Sequence, residues 1–220
     1  MARVQKTVDD GGRGVKSDSM CRRLTGTAAA MMMALGLGGC AQLLAGGDKA
    51  VPTFDLTAPS DFAAPRAGAG QLVVASPTAL QVLDTERIVV EPASGQITYL
   101  DKAQWSDRLP ALFQARLIQS FENASRGRSV GRPGDSIVAN YTLLTDIRSF
   151  GIQAFSAGGP EAVVEVSAKI VSADAGRILA ARVFKARVAA AGTSGAEATQ
   201  ALDAASDKVF VEIVAWASRF

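Results

Sequence analysis

Three long segments in the second half of the chain, in which apolar and polar residues alternate, constrain the fold more than any other feature. The apolar members of the first two are Ile137, Ala139, Tyr141, Leu143 and Ile147, then Val164, Val166, Ala168 and Ile170. The third segment covers 178–188 and follows the tight turn Asp174-Ala175-Gly176, which predicts a hairpin. Alternation with a period of two places successive side chains on opposite faces of a strand. It therefore predicts an antiparallel sheet with one covered face and one wet face.

Two amphipathic stripes could supply the cover for that sheet. The first comprises Trp105, Leu109, Leu112, Phe113, Leu117 and Phe121, and the second comprises Leu202, Ala205, Val209, Ile213, Trp216 and Phe220. Steps of three or four residues are typical of a helix with one apolar face. Pro110 lies within the first stripe, so we expect a helical turn over 102–108 and a helix over 109–124 with Pro110 in its first turn. The fold class predicted is α+β, an antiparallel sheet with two amphipathic helices packed on one face.

Shorter strands are predicted over 51–56, 72–75, 87–91 and 95–100, because these segments are short, rich in Val and Ile, and bounded by Pro or Gly. Residues 57–70 and 125–134 contain Pro and Gly and are predicted to be loops.

The composition changes abruptly near residue 40. All five Met lie in the first 39 residues, whereas all thirteen aromatic residues lie after residue 50. Arg22 and Arg23 precede an uncharged apolar stretch over 28–37, which is too short to cross the roughly 30 Å hydrocarbon core of a bilayer as a helix. This pattern indicates a signal peptide. The predicted organisation is a leader over 1–39, a lipidated Cys and flexible tether over 40–50, and one domain over 51–220.

The end of the leader, Leu37-Gly38-Gly39-Cys40, resembles the bacterial lipobox. The resemblance implies diacylglycerol attachment to the sulfur of Cys40, cleavage before that residue, and acylation of the new amino terminus, for example by palmitate. Several acyl chains on one residue give firm anchoring. Ala41 follows, not Asp, which favours an outer-membrane, periplasm-facing location. The alternative is that Cys40 is a buried thiol that lies near a signal peptide by chance.

Residues 1–19 are unlike the basic start of a signal peptide, since they are polar, rich in Gly and carry Asp9, Asp10 and Asp18. We expect the true start to be Met20 and residues 20–39 to be the signal peptide, with 1–19 an extension that does not belong to the protein or is disordered.

The composition also excludes several function classes. The chain has no histidine and only two cysteines, Cys21 and Cys40. It therefore lacks the residues for Ser-His-Asp or Cys-His catalysis, for histidine metal sites and for multi-cysteine zinc sites. Neither a metal nor a cofactor is expected, and a hydrolase is disfavoured. From Cys40 onward there are 17 Lys and Arg against 18 Asp and Glu, a balance that argues against nucleic-acid binding.

The residues that we predict to contact a partner are aromatic or aliphatic: Trp105 with Tyr99 beside it, and Phe150, Ile152 and Phe155 in an apolar run that ends at Ala157-Gly158-Gly159-Pro160. The alternative is that Trp105 anchors a helix to the sheet and that the apolar run extends a strand and packs.

Charged residues offer weaker candidates. Arg126, Arg128 and Arg132 could meet phospholipid head groups or peptidoglycan acids, or form a solvated loop. Asp146 and Arg148 are expected to form a surface ion pair.

A family resemblance rests on several motifs together. They are the lipobox, the early Phe54-Asp55-Leu56, the ERIVV strand that begins at Glu86, the segment GQITYLDKAQWSDRLPALFQARLIQSFENA that begins at Gly95, and the Asp146-Ile147-Arg148 strand. Over roughly 50–218 the chain resembles the ABC-type transport auxiliary lipoproteins, of the paraquat-inducible C type, that accompany MCE lipid transport systems. The resemblance implies a non-enzymatic component with an MCE-domain protein and an ABC permease and ATPase as partners. The implied roles are intermembrane lipid transport and envelope integrity.

One other class fits the lipobox, tether and small domain as well. A structural or regulatory envelope lipoprotein, for example an activator of a peptidoglycan synthase, would show the same features. In either role, long strands that leave a free sheet edge offer a template for pairing with another chain. A closed ring of such subunits is the self-assembly that would suit a transporter tunnel.

Overall fold

The computed structural model describes residues 50–63, 65, 68, 70–124, 129–155 and 157–220. Residues Val51–Phe220 form one compact unit. The strands, in chain order, are β1 (Thr53–Phe54), β2 (Leu72–Val74), β3 (Thr78–Ala79), β4 (Arg87–Ala93), β5 (Gln96–Trp105), β6 (Val130–Gly131), β7 (Tyr141–Gln153), β8 (Glu161–Ser172) and β9 (Ile178–Ala189). The helices within these residues are α1 (Leu109–Ala124) and α2 (Gly195–Ala217).

Strand β7 is the centre of the sheet. Along one side it pairs antiparallel with β8 over its full length, and β8 in turn pairs antiparallel with β9. Along its other side three short strands follow one another, and β2, β3 and β4 each pair parallel with a different stretch of β7. The sheet continues outward from β2 to β6 and from β4 through β5 to β1. It is therefore a mixed sheet whose longest pairings are antiparallel.

A bulge in β7 changes which side chains point to the core. The register shifts between Ile147 and Ser149, so Arg148 is the extra residue on the β7 side. Before the bulge the odd-numbered Leu143 and Ile147 face the core, and after it the even-numbered Phe150 does. Period-two reasoning from the sequence stops at this bulge, because one inserted residue exchanges the two faces of a strand.

The helices cover one face of the sheet, as predicted. α2 packs on β8, β9, β7 and β5 and also contacts α1. The two helices meet at Phe113 and Phe210, whose ring centroids are 4.8 Å apart. α2 begins with a capping box, in which the Ser194 side chain accepts from the Glu197 N–H and the Glu197 carboxylate accepts from the Ser194 N–H.

The structure confirms the α+β class and the helix over 109–124, and it corrects three predictions. The sheet is mixed and not purely antiparallel, because β7 pairs with three parallel strands. The predicted helical turn over 102–108 is instead partly strand, since β5 continues to Trp105 through Lys102, whose φ is +57°. β3 and β6 were not predicted. The predicted leader, the lipobox (Leu37, Gly38, Gly39) and the lipidation site Cys40 lie outside the described residues.

Candidate interaction site

The predicted contact residues separate into a buried set and an exposed one. Trp105, Phe150 and Ile152 are 1%, 2% and 0% exposed, and the rings of Trp105 and Phe150 meet edge to face with centroids 5.8 Å apart. This contact joins the end of β5 to β7 beneath the helices. The prediction that these three side chains offer a contact surface is wrong, because an intact domain cannot present them to a partner. The alternative of packing residues is the one that the structure shows.

Phe155 is the exposed member of the predicted set. It lies two residues beyond the end of β7 and its side chain is 44% exposed. Tyr99, in contrast, is half-buried: its hydroxyl donates to the carbonyl of Val82 at 3.4 Å, and the guanidinium of Arg87 lies 3.7 Å from its ring centroid. Phe155 therefore remains a candidate contact at the β7–β8 turn, while Tyr99 holds the segment before β4 onto the sheet.

The face of the sheet that the helices leave open carries a shallow polar hollow. Its volume is about 270 Å³, and its lining includes Thr78, Asp146, Arg148, Ser167 and Lys169. The hydroxyl of Thr78 donates to the Asp146 carboxylate at 2.9 Å, and the Arg148 guanidinium lies 3.7 Å from the same carboxylate. The predicted surface pair is thus present. Because both partners are half-exposed, the pair contributes little to stability.

The predicted arginine loop is described only in part. Arg126 and Arg128 lie outside the described residues. Arg132 is exposed in a turn, where its backbone N–H donates to the Asp135 carboxylate at 2.6 Å. This hydrogen bond fixes the backbone of the turn and leaves the guanidinium at the surface.

Strand β9 forms a long edge of the sheet that residue-by-residue reading of the sequence did not single out. Within the described residues it pairs with β8 alone. Its exposed apolar side chains are Ile178, Leu179 and Val183. Its outer-face cations are paired along β8, Lys185 with Glu165 at 2.6 Å and Arg187 with Glu161 at 3.0 Å. Apolar residues concentrate toward one end of the strand and ion pairs toward the other. A long alternating segment at the end of a hairpin was the available signal for such an edge.

A polar cluster fastens the start of the domain to the helices. The backbone N–H and the hydroxyl of Thr57 donate to the two oxygens of the Asp203 carboxylate, at 2.7 and 2.9 Å, and Arg116 of α1 pairs with Asp55. One turn along α2, partial burial raises the pKa of Asp207 to about 6, and the carboxylate of Asp203 adds to the shift. One oxygen of Asp207 has no hydrogen-bond partner.

These surfaces bring together no recognisable catalytic set. Among the described residues no group of three or more His, Cys, Asp or Glu side chains could hold a metal ion. In the same part of the chain no helix is both long and apolar enough to span a membrane. What the described geometry offers is surface for contact: the exposed Phe155, the open face of the sheet and the edge of β9.

The family assignment follows from a comparison with known families. A model for the ABC-type transport auxiliary lipoprotein component matches residues 54–214, which is nearly all of the compact unit. The chain belongs to this family. The resemblance seen in the sequence motifs is thereby confirmed, and auxiliary lipoprotein of an ABC-type transport system is the coarse description that it supports.

Several known proteins are similar to this auxiliary lipoprotein in sequence or in fold. The uncharacterized protein bll6063 of Bradyrhizobium diazoefficiens is 32% identical over 182 residues, which cover 82% of this chain and 48% of that protein. The chain therefore spans about half the length of that relative. The crystal structure of XCC0632 from Xanthomonas campestris, described as DUF330, has a TM-score of 0.63 and 27% identity, and the match covers 75% of this chain and 91% of XCC0632. A second crystal structure, 14% identical with a TM-score of 0.58, shares the fold and covers 76% of this chain and 96% of its own.

Proposed function

We propose that this protein is a non-enzymatic, lipid-anchored auxiliary component of an MCE-type ABC transport system. It would be held in the outer membrane through Cys40, face the periplasm, and take part in intermembrane lipid transport and envelope integrity. The observation that carries the proposal is the family match over residues 54–214. The absence of histidine from the chain and the lipobox before Cys40 support it from the sequence.

The work of such a component is binding and positioning. The lipid anchor keeps the domain at one membrane, and the domain engages the MCE-domain protein, which in turn works with the permease and the ATPase. Phe155 is our candidate for that contact, because it is a large aromatic side chain, 44% exposed, beside a turn between two long strands. An exposed aromatic side chain gives large contact area at a low cost in conformational entropy.

The test compares three tagged full-length variants in cells that express the MCE-domain protein. Cys40→Ser should remove the protein from the outer-membrane fraction, because Cys40 is the thiol that the lipobox places for lipidation. Phe155→Asp should keep the protein in that fraction and abolish capture of the MCE partner. Val138→Asp is the matched control, since Val138 is an apolar residue that is 84% exposed and lies before β7.

Each outcome is informative. If wild-type protein captures a peptidoglycan synthase and not the MCE protein, the regulatory lipoprotein is the correct class. If Phe155→Asp still captures the MCE protein, the contact lies elsewhere on the domain. If Cys40→Ser remains lipidated and in the outer membrane, the anchoring proposal is wrong.

A further inference from the structure

The polar hollow on the open face of the sheet carries an inference that goes beyond the proposed function, which gives the domain partners and this surface no ligand. The hollow has a volume of about 270 Å³ and lies where β3, β7 and β8 run side by side. Asp146 pairs with Thr78 of β3 on one side and with Ser167 of β8 on the other. Side chains of directly paired residues lie on the same face of a sheet. The row therefore brings two hydroxyls and a carboxylate to the lining of the hollow.

Ser167 supplies a buried hydroxyl that has no partner. The residue is 7% exposed, lines the hollow, and makes no side-chain hydrogen bond to any described residue. The hydroxyl of Thr78, in contrast, donates to the Asp146 carboxylate at 2.9 Å. A buried polar group is nearly always hydrogen-bonded, so an unpaired one in a hollow indicates a binding position. The Ser167 hydroxyl is therefore available to donate to a group that enters the hollow.

Two cations of the lining are also available. Lys169 lies two residues beyond Ser167 on the same face of β8, and within the described part of the chain it forms no ion pair. Arg148 meets Asp146 through Nε alone, at 3.7 Å, and neither terminal nitrogen of its guanidinium donates to a described residue. The cations of β9 on this face are instead held in ion pairs with β8. The hollow is therefore a place on the open face where positive charge is free to meet a ligand.

We propose that the hollow binds a phosphate diester. Arg148 and Lys169 supply two positive charges and Asp146 one negative charge, so the lining carries one excess positive charge. A phosphate diester carries one negative charge and matches this excess, whereas a phosphate monoester carries about −1.5 to −2 at neutral pH. The oxygens of a tetrahedral phosphate can accept from donors on several sides at once. The ammonium of Lys169, the guanidinium of Arg148 and the hydroxyl of Ser167 provide such donors.

Asp146 decides where in the hollow the diester lies. One oxygen of its carboxylate accepts from Thr78 and the other faces Arg148. Like charges repel, so the diester lies on the side of Ser167 and Lys169 and away from Thr78. The same carboxylate makes the site selective, because it weakens binding of a dianion more than binding of a monoanion.

Apolar side chains beside the hollow favour a lipid as the source of the diester. Leu144 lies directly opposite Lys169, lines the hollow and is 40% exposed. Arg148 also lines an adjoining cavity of about 90 Å³, whose lining includes Leu80 and Ile97, 70% and 50% exposed. Exposed apolar side chains next to an anion site suit a molecule that carries both a diester and acyl chains. A free diester offers the same charge, so the two sources have to be separated by experiment.

A titration followed by NMR tests the site. The isotope-labelled full-length chain in dodecyl maltoside, a detergent without phosphate, is titrated with glycerophosphoglycerol, a soluble diester. We expect the backbone amide signals of Ser167 and Lys169 to shift and to saturate. Acetate, a monoanion with a planar carboxylate, should shift them much less. A second titration adds phosphatidylglycerol to the micelles. Tighter binding of phosphatidylglycerol than of glycerophosphoglycerol would support a lipid as the source, and equal binding would support the diester group alone.

Variants of the lining give expected changes of opposite sign. Lys169→Gln should weaken binding of glycerophosphoglycerol about fivefold, the factor expected for one cation near an anionic group. Ser167→Ala should weaken it by a similar factor, because one hydrogen bond is lost. Asp146→Asn should strengthen it, since a like charge is removed. Lys185→Gln is the matched control: it removes the same charge from the same face, but Lys185 is paired with Glu165 at 2.6 Å and does not line the hollow. We expect little change in affinity from it.

The proposal is overturned if glycerophosphoglycerol leaves the signals of Ser167 and Lys169 unchanged, if acetate binds as tightly, or if Lys185→Gln weakens binding as much as Lys169→Gln. If Lys169→Gln loses the wild-type thermal melt, Ser167→Ala and Asp146→Asn still decide, because their affinities should change in opposite directions. The titration contains no MCE-domain protein. A negative result would therefore leave the proposed partner contact standing, and failure of that contact would leave a positive titration standing.

Discussion

The two sides of β7 are built in opposite ways. On one side lies β8, a single strand that pairs with β7 over its whole length and is joined to it by a short turn. On the other side lie β2, β3 and β4, each of which pairs with β7 over two or three positions only. The first side is made from neighbours in sequence, and the second is assembled from segments that lie 60 or more residues away in the chain.

The difference teaches where this domain is sensitive. A continuous ladder can lose one contact and keep its register, because many cross-strand pairs hold it. A short parallel strand holds only two or three pairs, so its position depends on packing beneath it. The contact between Trp105 and Phe150 and the close approach of Val89 to Gly151 provide this packing at β4 and β5.

The largest effect is expected from removing α2, the helix that packs on β8 and β9. A chain truncated after residue 201 loses most of α2, including Leu202, Phe210 and Trp216, which are buried in the core. Burying one such side chain is worth about 1.5–3 kcal/mol, and a domain has only about 5–15 kcal/mol in total. The truncated chain should show no cooperative thermal melt by circular dichroism. A native-like melt would contradict the two-layer architecture.

The next comparison is between two phenylalanines, one packed between β7 and β5 and the other exposed in the β7–β8 turn. Phe150→Ala should lower the free energy of unfolding by about 3–5 kcal/mol, because it leaves a cavity against Trp105. Phe155→Ala should change it by about 0.5 kcal/mol or less, since Phe155 is a surface side chain. Urea denaturation of both variants measures the difference. Equal destabilisation would show that Phe155 is also packed in solution.

Substitutions at two glycines test the same comparison, between packed and exposed positions, with a smaller expected change in the free energy of unfolding. A Cβ on Gly151 would come within 2.8 Å of the Val89 carbonyl oxygen, so Gly151→Ala must push β4 away from β7. We expect a loss of about 1–3 kcal/mol, as for other overpacked sites. Gly158→Ala, in the β7–β8 turn, meets no atom within 4 Å and should be near neutral. Differential scanning calorimetry distinguishes the two variants. An unchanged melt for Gly151→Ala would mean that β4 can move away from β7 at little cost in free energy.

The smallest expected effect is a pH dependence of stability that comes from Asp207 on α2. The pKa of Asp207 is raised to about 6 in the folded chain, above the ordinary aspartate value of 3.8. The folded state therefore holds this proton more tightly than the unfolded state, so the Asp207 contribution to the free energy of unfolding should decrease as pH rises from about 4 to about 6.

Asp207→Asn should remove this part of the pH dependence and make the domain more stable than wild type at pH 7. Thermal melts at pH 4, 5, 6 and 7 measure it, with Asp174→Asn, in the exposed β8–β9 turn, as the control. Parallel pH curves for wild type and Asp207→Asn would contradict the raised pKa.

Particular elements show how far the sequence predicts this molecule. The helix over 109–124 was predicted with its observed bounds, since Pro110 at its second position and the apolar steps act within a few residues. The failures come from pairings at a distance. Phe150 and Ile152 were predicted to contact a partner because they lie in an apolar run that leads to a turn, with packing as the alternative. The bulge at Arg148, after which the even-numbered side chains face the core, has no local signal in the sequence. The direction in which β2, β3 and β4 pair with β7 is likewise not encoded in a period of two.

By itself the sequence determined the α+β class, the bounds of α1, the alternation of the long strands and the family. These features depend on local periodicity, on chain-breaking residues and on motifs within one segment. Only the tertiary structure decided that the sheet is mixed, that Trp105 is core and Phe155 surface, and that β9 is the long strand which, among the described residues, pairs on one side only. The physical reason is that a strand's partners and its buried face are set by which distant segment completes its hydrogen bonds, and a single bulge exchanges the two faces.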